Sequence, residues 1–261
     1  MLGWIVVFVL FCLLAYMWWE AHRNRVVRIE LSFPQFPDSF RAFSIFFISD
    51  LHRRTLAAKI VEEIKGKADI VLVGGDLTEK GVPAARVKEN IRRLKMIGPV
   101  YFIWGNNDYE VEYDLRSLLI EEGVHILENR AVVLQSANGE KLALIGVGDV
   151  SKRKARLEEA LREVDEHSFR ILASHNPKIV QRLRPEHRIS LVVSGHTHGG
   201  QIRFLSFGLY EKGGLKNING TAVYVSNGYG TTNIPLRLGA PAETNLITIR
   251  SSEENGEKML V

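Results

Sequence analysis

An α/β layered domain preceded by one apolar helix is the fold class that the sequence predicts, on three observations. Near-continuous apolar runs at Phe43 to Ile48, Ile70 to Val73, Val100 to Trp104, Leu142 to Val147, Phe169 to Ala173, Ile189 to Val193 and Ala222 to Val225 suit strands buried on both faces. Between many of them lie stretches with apolar residues every three or four positions, the period of a helix with one buried face: Leu56 to Ile64, Ala84 to Ile97, Leu115 to Glu122 and Arg156 to Val164. Strand and helix alternate through about residue 200, the pattern of a largely parallel core.

The amino terminus comes first in chain order. Leu2 to Trp19 is eighteen residues without a charge, close to the roughly 20 that a membrane-spanning helix needs. Tyr16, Trp18 and Trp19 at its end suit a headgroup boundary. Arg23, Arg25 and Arg28 follow, with no charged side chain ahead of Leu2, which favours a cytoplasmic location for the bulk of the chain. A cleaved signal peptide would want a basic first region and small residues at the cleavage point, and AYMWWEAHRNR offers neither cleanly. Residues 1–22 are therefore expected to form a single-pass membrane anchor, 23–250 one domain, and 251–261 a polar tail.

Beyond the anchor, VRIELSF alternates apolar Ile29, Leu31 and Phe33 with polar neighbours, a strand with one wet face. After Gln201 the texture changes to glycine-rich loops and short strands. With 261 residues, 46% hydrophobic and 25% charged, the chain is long enough for one large core. A formal charge of +4, spread along the chain, does not call for a nucleic-acid partner. Cys12 is the single cysteine, so neither a disulfide framework nor a thiolate metal cluster can form. Oligomeric state is left open.

The residues that follow the apolar runs carry the chemistry. Asp50, Asp76, Asn106, His175 and His196 each stand just beyond one, and in open α/β sheets ligands bind beyond the carboxyl ends of the strands. One such residue is usually a turn former or a helix cap; five in register point to one site. His52 lies two residues after Asp50, and His198 two after His196. In extended backbone such pairs project to the same side, so each pair is expected to reach one centre together. Gly195, Gly199 and Gly200 around the last pair remove side-chain bulk and permit unusual dihedrals. Four histidines, two aspartates and an asparagine make a mixed nitrogen and oxygen donor set that suits Mn, Fe, Zn or Co better than Ca or Mg. Seven donors exceed one tetrahedral ion and fit two ions sharing a bridge.

Taken together, Asp50-Leu51-His52, Gly75-Asp76, Gly105-Asn106-Asn107-Asp108, His175 and Gly195-His196-Thr197-His198 resemble the signature of the calcineurin-like metallophosphoesterases over roughly residues 41 to 250. The membrane-anchored bacterial members are the most similar type. The resemblance implies two mixed sheets flanked by helices, an α/β/β/α sandwich, with a dinuclear centre at the strand ends. It implies Asp50, His52 and His198 on one metal, Asn106, His175 and His196 on the other, and Asp76 bridging. It also implies phosphoester hydrolysis by in-line attack of a hydroxide held between two divalent ions, with manganese the first expectation.

One position departs from the family pattern. Relatives often carry histidine where this chain has Asn107, and asparagine donates a hydrogen bond but delivers no proton at neutral pH. An acidic leaving group tolerates that loss best, so a pyrophosphate, a nucleotide-containing diester or another activated ester is expected over an alkyl monoester. Asn107, Asp108 and Arg53 complete the expected catalytic set. Asp69 and Asp108 are candidates to back the ligand histidines, Arg53 and Arg54 to meet phosphate oxygens, and Asn227 in SNGYG to line the pocket or shape a turn. His125, His167 and His187 read as solvated surface residues, and His22 as part of the basic flank. An anchored hydrolase suggests a lipid-linked phosphate as substrate. The rival readings are a membrane scaffold with a weak or retired site, a di-iron redox protein, which would usually draw carboxylates and Glu-x-x-His pairs from helices, a helical motif that is not evident, and a nuclease or nucleotide phosphodiesterase.

Overall fold

A computed structural model of the chain describes residues 1–205 and 207–252. Two six-stranded sheets lie at its centre. The first holds β1 (Val26–Phe33), β2 (Ala42–Ile48), β3 (Ile70–Val73), β4 (Val100–Phe102), β5 (His125–Ile126) and β12 (Thr244–Ser251), in the order β1-β12-β2-β3-β4-β5. The second holds β6 (Arg130–Gln135), β7 (Lys141–Gly146), β8 (Phe169–Ala173), β9 (Leu191–Ser194), β10 (Gly214–Ile218) and β11 (Thr221–Val225), in the order β10-β11-β9-β8-β7-β6. In the first sheet the parallel block β2 to β5 meets β12 antiparallel, and β1 runs parallel to β12; in the second the parallel block β7, β8, β9 and β11 is flanked by antiparallel β6 and β10, so both sheets are mixed.

Apolar side chains fill three layers. Phe43, Ile45, Phe47, Leu72, Leu144 and Ile171, among others, join the two sheets face to face. Outside the first sheet, α2 (Ala58–Ile64), α3 (Ala84–Lys95) and α4 (Leu115–Glu121) cover Phe46, Val71 and Phe102. Outside the second, α5 (Leu157–Leu161) and a 3-10 turn at Pro177–Arg182 cover Ile145, Leu172 and Val192. The molecule is thus the expected α/β/β/α sandwich. Helix α3 shows how the pattern is read: Val87, Asn90, Ile91 and Leu94 form its buried stripe, and the one polar member is satisfied. Asn90 accepts from Leu56 N at 2.8 Å and donates to Arg54 O at 3.0 Å, fixing the segment after β2.

Helix α1 (Leu2–Ala21) precedes the sandwich and is long and apolar enough to cross a membrane, with a mean hydropathy of 2.2. Its last turn is packed on the domain, where Met17, Glu20 and Ala21 are buried.

Several expectations change. The crossover between β8 and β9 contains 3-10 turns at Pro177–Arg182 and Pro185–His187, not an α-helix, and α5 is shorter than its sequence pattern. His187 is buried, not solvated: its Nδ1 accepts from Arg184 N, and its carbonyl accepts from the Arg170 guanidinium. Asp69 sits at the opposite end of the sheet from the donor residues, accepting from Ser44 N at 2.7 Å just before β3 begins. Strand β12 occupies an inner place between β1 and β2, although its sequence TNLITIRS mixes polar and apolar residues. Ser251 ends that strand, Ser252 follows it, and the remainder of the expected polar tail, 253–261, lies outside the described residues.

Candidate metal centre

The carboxyl ends of β2, β3, β4, β8 and β9 deliver Asp50, Asp76, Asn106, His175 and His196, as the α/β rule requires. Donor atoms of Asp50, His52 and His198 lie within 4.8 Å of one another, as do those of Asp50, Asp76 and His175, and all five residues are buried. His52 Nε2 is 3.1 Å from His198 Nε2, which is 3.3 Å from Asp50 Oδ1. His175 Nε2 is 3.3 Å from Asp76 Oδ2 and 3.3 Å from Nδ1 of the half-buried His196. Asp76 also lies 3.8 Å from His52 Nε2, so it touches both halves of the cluster.

How the paired residues get there differs from expectation. Asp50 and His52 have φ of 55° and 52°, and His196 and His198 72° and 50°, so neither pair sits in extended backbone. Asp76 joins them at 50°. Left-handed backbone at a residue with a Cβ is strained by about 1–3 kcal/mol and persists where surrounding structure enforces it. The consequence is that His196 and His198 part company, one facing His175 and the other His52.

Glycines make the enforcement possible. A Cβ on Gly105 would lie 2.2 Å from Asp76 N and 2.3 Å from its Oδ1, and one on Gly195 would lie 2.5 Å from Asp50 Oδ2. Gly105→Ala is therefore expected to displace Asp76 and lower hydrolysis by roughly 100-fold while the fold survives, the scale of disturbing a ligand's immediate support. Steady-state kinetics with far-ultraviolet circular dichroism checks this; an unimpaired Ala variant would refute it.

A second set of groups orients the donors. His175 Nδ1 is 2.8 Å from Gly74 O, which selects the tautomer whose Nε2 is free to ligate. His52 Nδ1 is 2.9 Å from Glu79 Oε2 in a geometry too bent for a full hydrogen bond, and Glu79 in turn accepts from Arg53. Asp108 accepts from Asp76 N and Gly105 N, both at 2.8 Å, and from Thr78 N at 3.1 Å, clamping together the loops after β3 and β4. Asn107 donates its backbone N–H to Asp76 Oδ1 at 2.8 Å and its amide to Oδ2 at 2.6 Å.

Glu79 and Arg237 were not anticipated. Arg237 is fully buried, and its guanidinium donates to the carbonyls of Asn227, Gly228, Gly230, His198 and Ala240, with Nη2 3.2 Å from His198 Nδ1. Its sequence setting, PLRLGAP, carries no signal, whereas Glu79 stands three residues past the Gly75-Asp76 motif and could have been suspected.

The two arginines expected at phosphate separate. Arg53 is exposed and pairs with Glu79. Arg54 stacks on Tyr229 with its guanidinium carbon 3.7 Å from the ring centroid and donates to the carbonyls of Ala21, His22 and Arg23, so it serves the helix junction instead. Asn227 is buried, accepts from Gly213 N at 2.9 Å, and packs behind Gly199.

Burial and neighbouring charges oppose one another at these groups. Burial disfavours the Asp50 carboxylate, but His198 and His175 hold its pKa below the ordinary value, and Asp76 is depressed in the same way against its own burial, chiefly by His175. Burial works against a charged His175, yet Asp76 outweighs it and pushes the imidazole up to about 10. Burial lowers His198 to about 3, with His52 and Arg237 adding to it against Asp50. Burial and the neighbouring Asp76 raise Asp108 to about 7, against the pull of the N–H groups it accepts from.

The residues present fit a metal pair. Asn106 Oδ1 is buried with no hydrogen-bond partner, as an atom awaiting a cation would be. Two aspartates and four imidazoles converge beside it, and only the neutral imidazole ligates, so a bound cation competes with the proton that His175 would otherwise hold.

With that geometry in hand, comparison with known proteins is decisive. The family model described as calcineurin-like phosphoesterase matches residues 43–200. The chain belongs to the calcineurin-like phosphoesterase family. It is a hydrolase of the metallophosphoesterase class, a family that binds two divalent metals. It is similar to the uncharacterized Bacillus subtilis protein YpbG, 46% identical over 213 residues that cover 80% of this chain and 82% of that one. A Danio rerio transmembrane protein with metallophosphoesterase domain is 30% identical over 89% of this chain, which spans 59% of that protein's length. The Escherichia coli phosphodiesterase YaeI is 27% identical over 89% of this chain and 88% of its own length. Among solved structures, the Thermus thermophilus sulfate thiohydrolase SoxB superposes with a TM-score of 0.52 at 14% identity over 84% of this chain and 58% of that one, a likeness of fold.

Proposed function

We propose that this metallophosphoesterase is a membrane-anchored phosphodiesterase or pyrophosphatase whose substrates carry acidic leaving groups, with lipid-linked phosphates as the natural class. The observation that carries the reading is the convergence of Asp50, His52, Asp76, His175 and His198 within a few ångströms, beside the unpartnered Asn106 Oδ1. In this reading Asp50, His52 and His198 hold one divalent ion, Asn106, His175 and His196 the other, and Asp76 belongs to both. Manganese is the proposed ion, given the mixed nitrogen and oxygen donors. Such a pair, when bound, supplies Lewis acidity: it activates water at neutral pH and neutralises phosphoryl oxygens.

The chain's own residues do the positioning. Glu79 and the Gly74 carbonyl orient the imidazoles of His52 and His175, and Asp108 keeps the loops bearing Asp76 and Asn106 in register. Arg53, exposed beside Glu79, is placed to attract a phosphate oxygen. Asn107 stands where a proton donor would help and instead offers an amide N–H already aligned on Asp76. It can stabilise a developing oxyanion by hydrogen bonding but cannot protonate a poor leaving group.

The test is a panel of purified full-length protein with Mn²⁺ against aryl, nucleotidyl and alkyl esters. Aryl and nucleotidyl diesters are expected to turn over faster than alkyl monoesters, and Asn107→His is expected to accelerate the alkyl substrates by roughly tenfold or more, within the range of a restored general acid. Equal rates on alkyl and aryl esters in the native protein would remove the leaving-group inference. Metal content without turnover on any ester would favour a scaffold instead. Membrane insertion through α1 with the domain in the cytoplasm rests on its hydropathy and on Arg23, Arg25 and Arg28 beyond it.

A further inference from the structure

The loop after the last two histidines exposes more apolar surface than a soluble face normally keeps. Phe204, Leu205, Phe207 and Leu209 are 75%, 82%, 75% and 83% exposed. Scattered apolar side chains on a surface need no explanation; four large ones within six residues do. The tip is ordered by backbone pairing, since Phe204 N donates to Phe207 O at 2.9 Å and Phe207 N to Phe204 O at 3.0 Å.

The base of this hairpin is bonded to the foot of the anchor. Arg203 N donates to Leu238 O at 2.8 Å, Leu238 N to Gln201 O at 2.9 Å, and the adjacent Arg237 N to Met17 O at 3.0 Å in the last turns of α1. Arg54 reaches the carbonyls of Ala21, His22 and Arg23 from the loop that carries His52. The donor residues, the apolar hairpin and the end of α1 therefore form one hydrogen-bonded unit, and the anchor is not free to swing away from the site. At the same foot a cleft of about 370 Å³ is lined by Trp19, His22, Arg23, Asn24, Arg25 and Lys59, three of them permanent cations and none acidic.

We propose that the hairpin formed by residues 202–205 and 207–210 is a second membrane attachment, inserted in the leaflet where α1 ends, so that the metal centre opens at the bilayer surface and takes phosphoesters presented by lipid headgroups. The proposal rests on the anchored phosphoesterase reading above. A bilayer is the occupant because backbone bonds through Leu238 and Arg237 tie the base of the hairpin to the last turns of α1, because Tyr16, Trp18 and Trp19 mark the headgroup level at that end of the helix, and because the basic cleft suits anionic headgroups. A surface anchored by one helix gains from added apolar burial in the interface and from neighbouring cations, and the two act together.

The test uses the full chain in nanodiscs of phosphatidylcholine and phosphatidylglycerol. In a Cys12→Ser background, Leu205→Cys carries the environment-sensitive fluorophore NBD, and Asn138→Cys, exposed between β6 and β7, serves as the control. Blue-shifted emission at position 205, quenched by nitroxide-labelled lipid while the control stays wet, is the expected result. A wet label at 205 overturns the proposal, and so does a dry label that the lipid quenchers do not reach, because protein then covers the loop.

A triple variant, Phe204→Ser with Leu205→Ser and Phe207→Ser, is the functional arm. It is expected to hydrolyse soluble bis(p-nitrophenyl) phosphate at the native rate and to lose roughly tenfold or more on phosphatidyl-p-nitrophenol in the discs, since interfacial binding scales with buried apolar area. The leaving group is the same in both and each rate is read against the native protein on the same substrate, so a loss confined to the lipid ester reports presentation at the bilayer. Unchanged rates on both substrates, or equal losses on both, sink the proposal. A native protein inactive on the soluble diester would count against the phosphodiesterase reading, while the fluorophore would still decide where the hairpin lies.

Discussion

Asp76→Asn is expected to reduce hydrolysis by more than the roughly 100-fold that disturbing an outer partner of a metal ligand costs, and to lower metal content with it. The reason is position. Asp76 Oδ2 lies 3.3 Å from His175 and 3.8 Å from His52, and both carboxylate oxygens accept from Asn107, so one side chain joins the two halves of the donor cluster. The amide is nearly isosteric but uncharged, and it brings an N–H₂ where a donor atom is needed. Kinetics on an aryl phosphodiester with Mn²⁺, together with elemental analysis, reads both effects. A variant that keeps both its metals and its rate would contradict the assignment of Asp76 to the two ions.

Arg237→Met is expected to be the most destabilising single change. The guanidinium is fully buried, and five main-chain carbonyls from the segments around His198, Asn227 to Gly230 and Ala240 depend on it. Burial lowers its pKa to about 10, with Asp50 and Glu243 opposing, so it stays charged at neutral pH. Removing one partner of a buried charged network costs about 3–5 kcal/mol, which for a chain of this size corresponds to a fall in Tm of about 6–20 °C. Arg237→Lys keeps the charge but not the fork that reaches several carbonyls at once, and should recover only part of the loss. Thermal unfolding in detergent measures this. A Tm within the error of the native protein would show that the carbonyls find other donors.

Much of the site was legible because backbone geometry, not side-chain packing, dictates it. Asp50, Asp76, Asn106, His175 and His196 stand at strand ends, and the strands announce themselves as apolar runs, so their convergence follows from the parallel α/β layout. The Asp50 and His52 pair was recognised by spacing, yet the structure holds both in left-handed backbone, and the same geometry sends His196 and His198 to different partners. Spacing tells that two residues are near; only the enforced dihedrals tell where each points. Arg237 was invisible for a related reason. It follows His198 by 39 residues in an ordinary-looking segment, and its importance arises from what the fold packs around it.

Helix α1, the strand-and-helix alternation and the seven candidate donor residues could be read from the order of the amino acids, because hydropathy period and donor chemistry are local properties. Tertiary structure alone decided that β12 lies inside the first sheet, that His187 is buried and Arg54 tied to the end of α1, and that an apolar hairpin shares a hydrogen-bonded rim with the candidate metal site. Those depend on contacts between segments distant in the chain, whose free energy no short stretch of sequence contains.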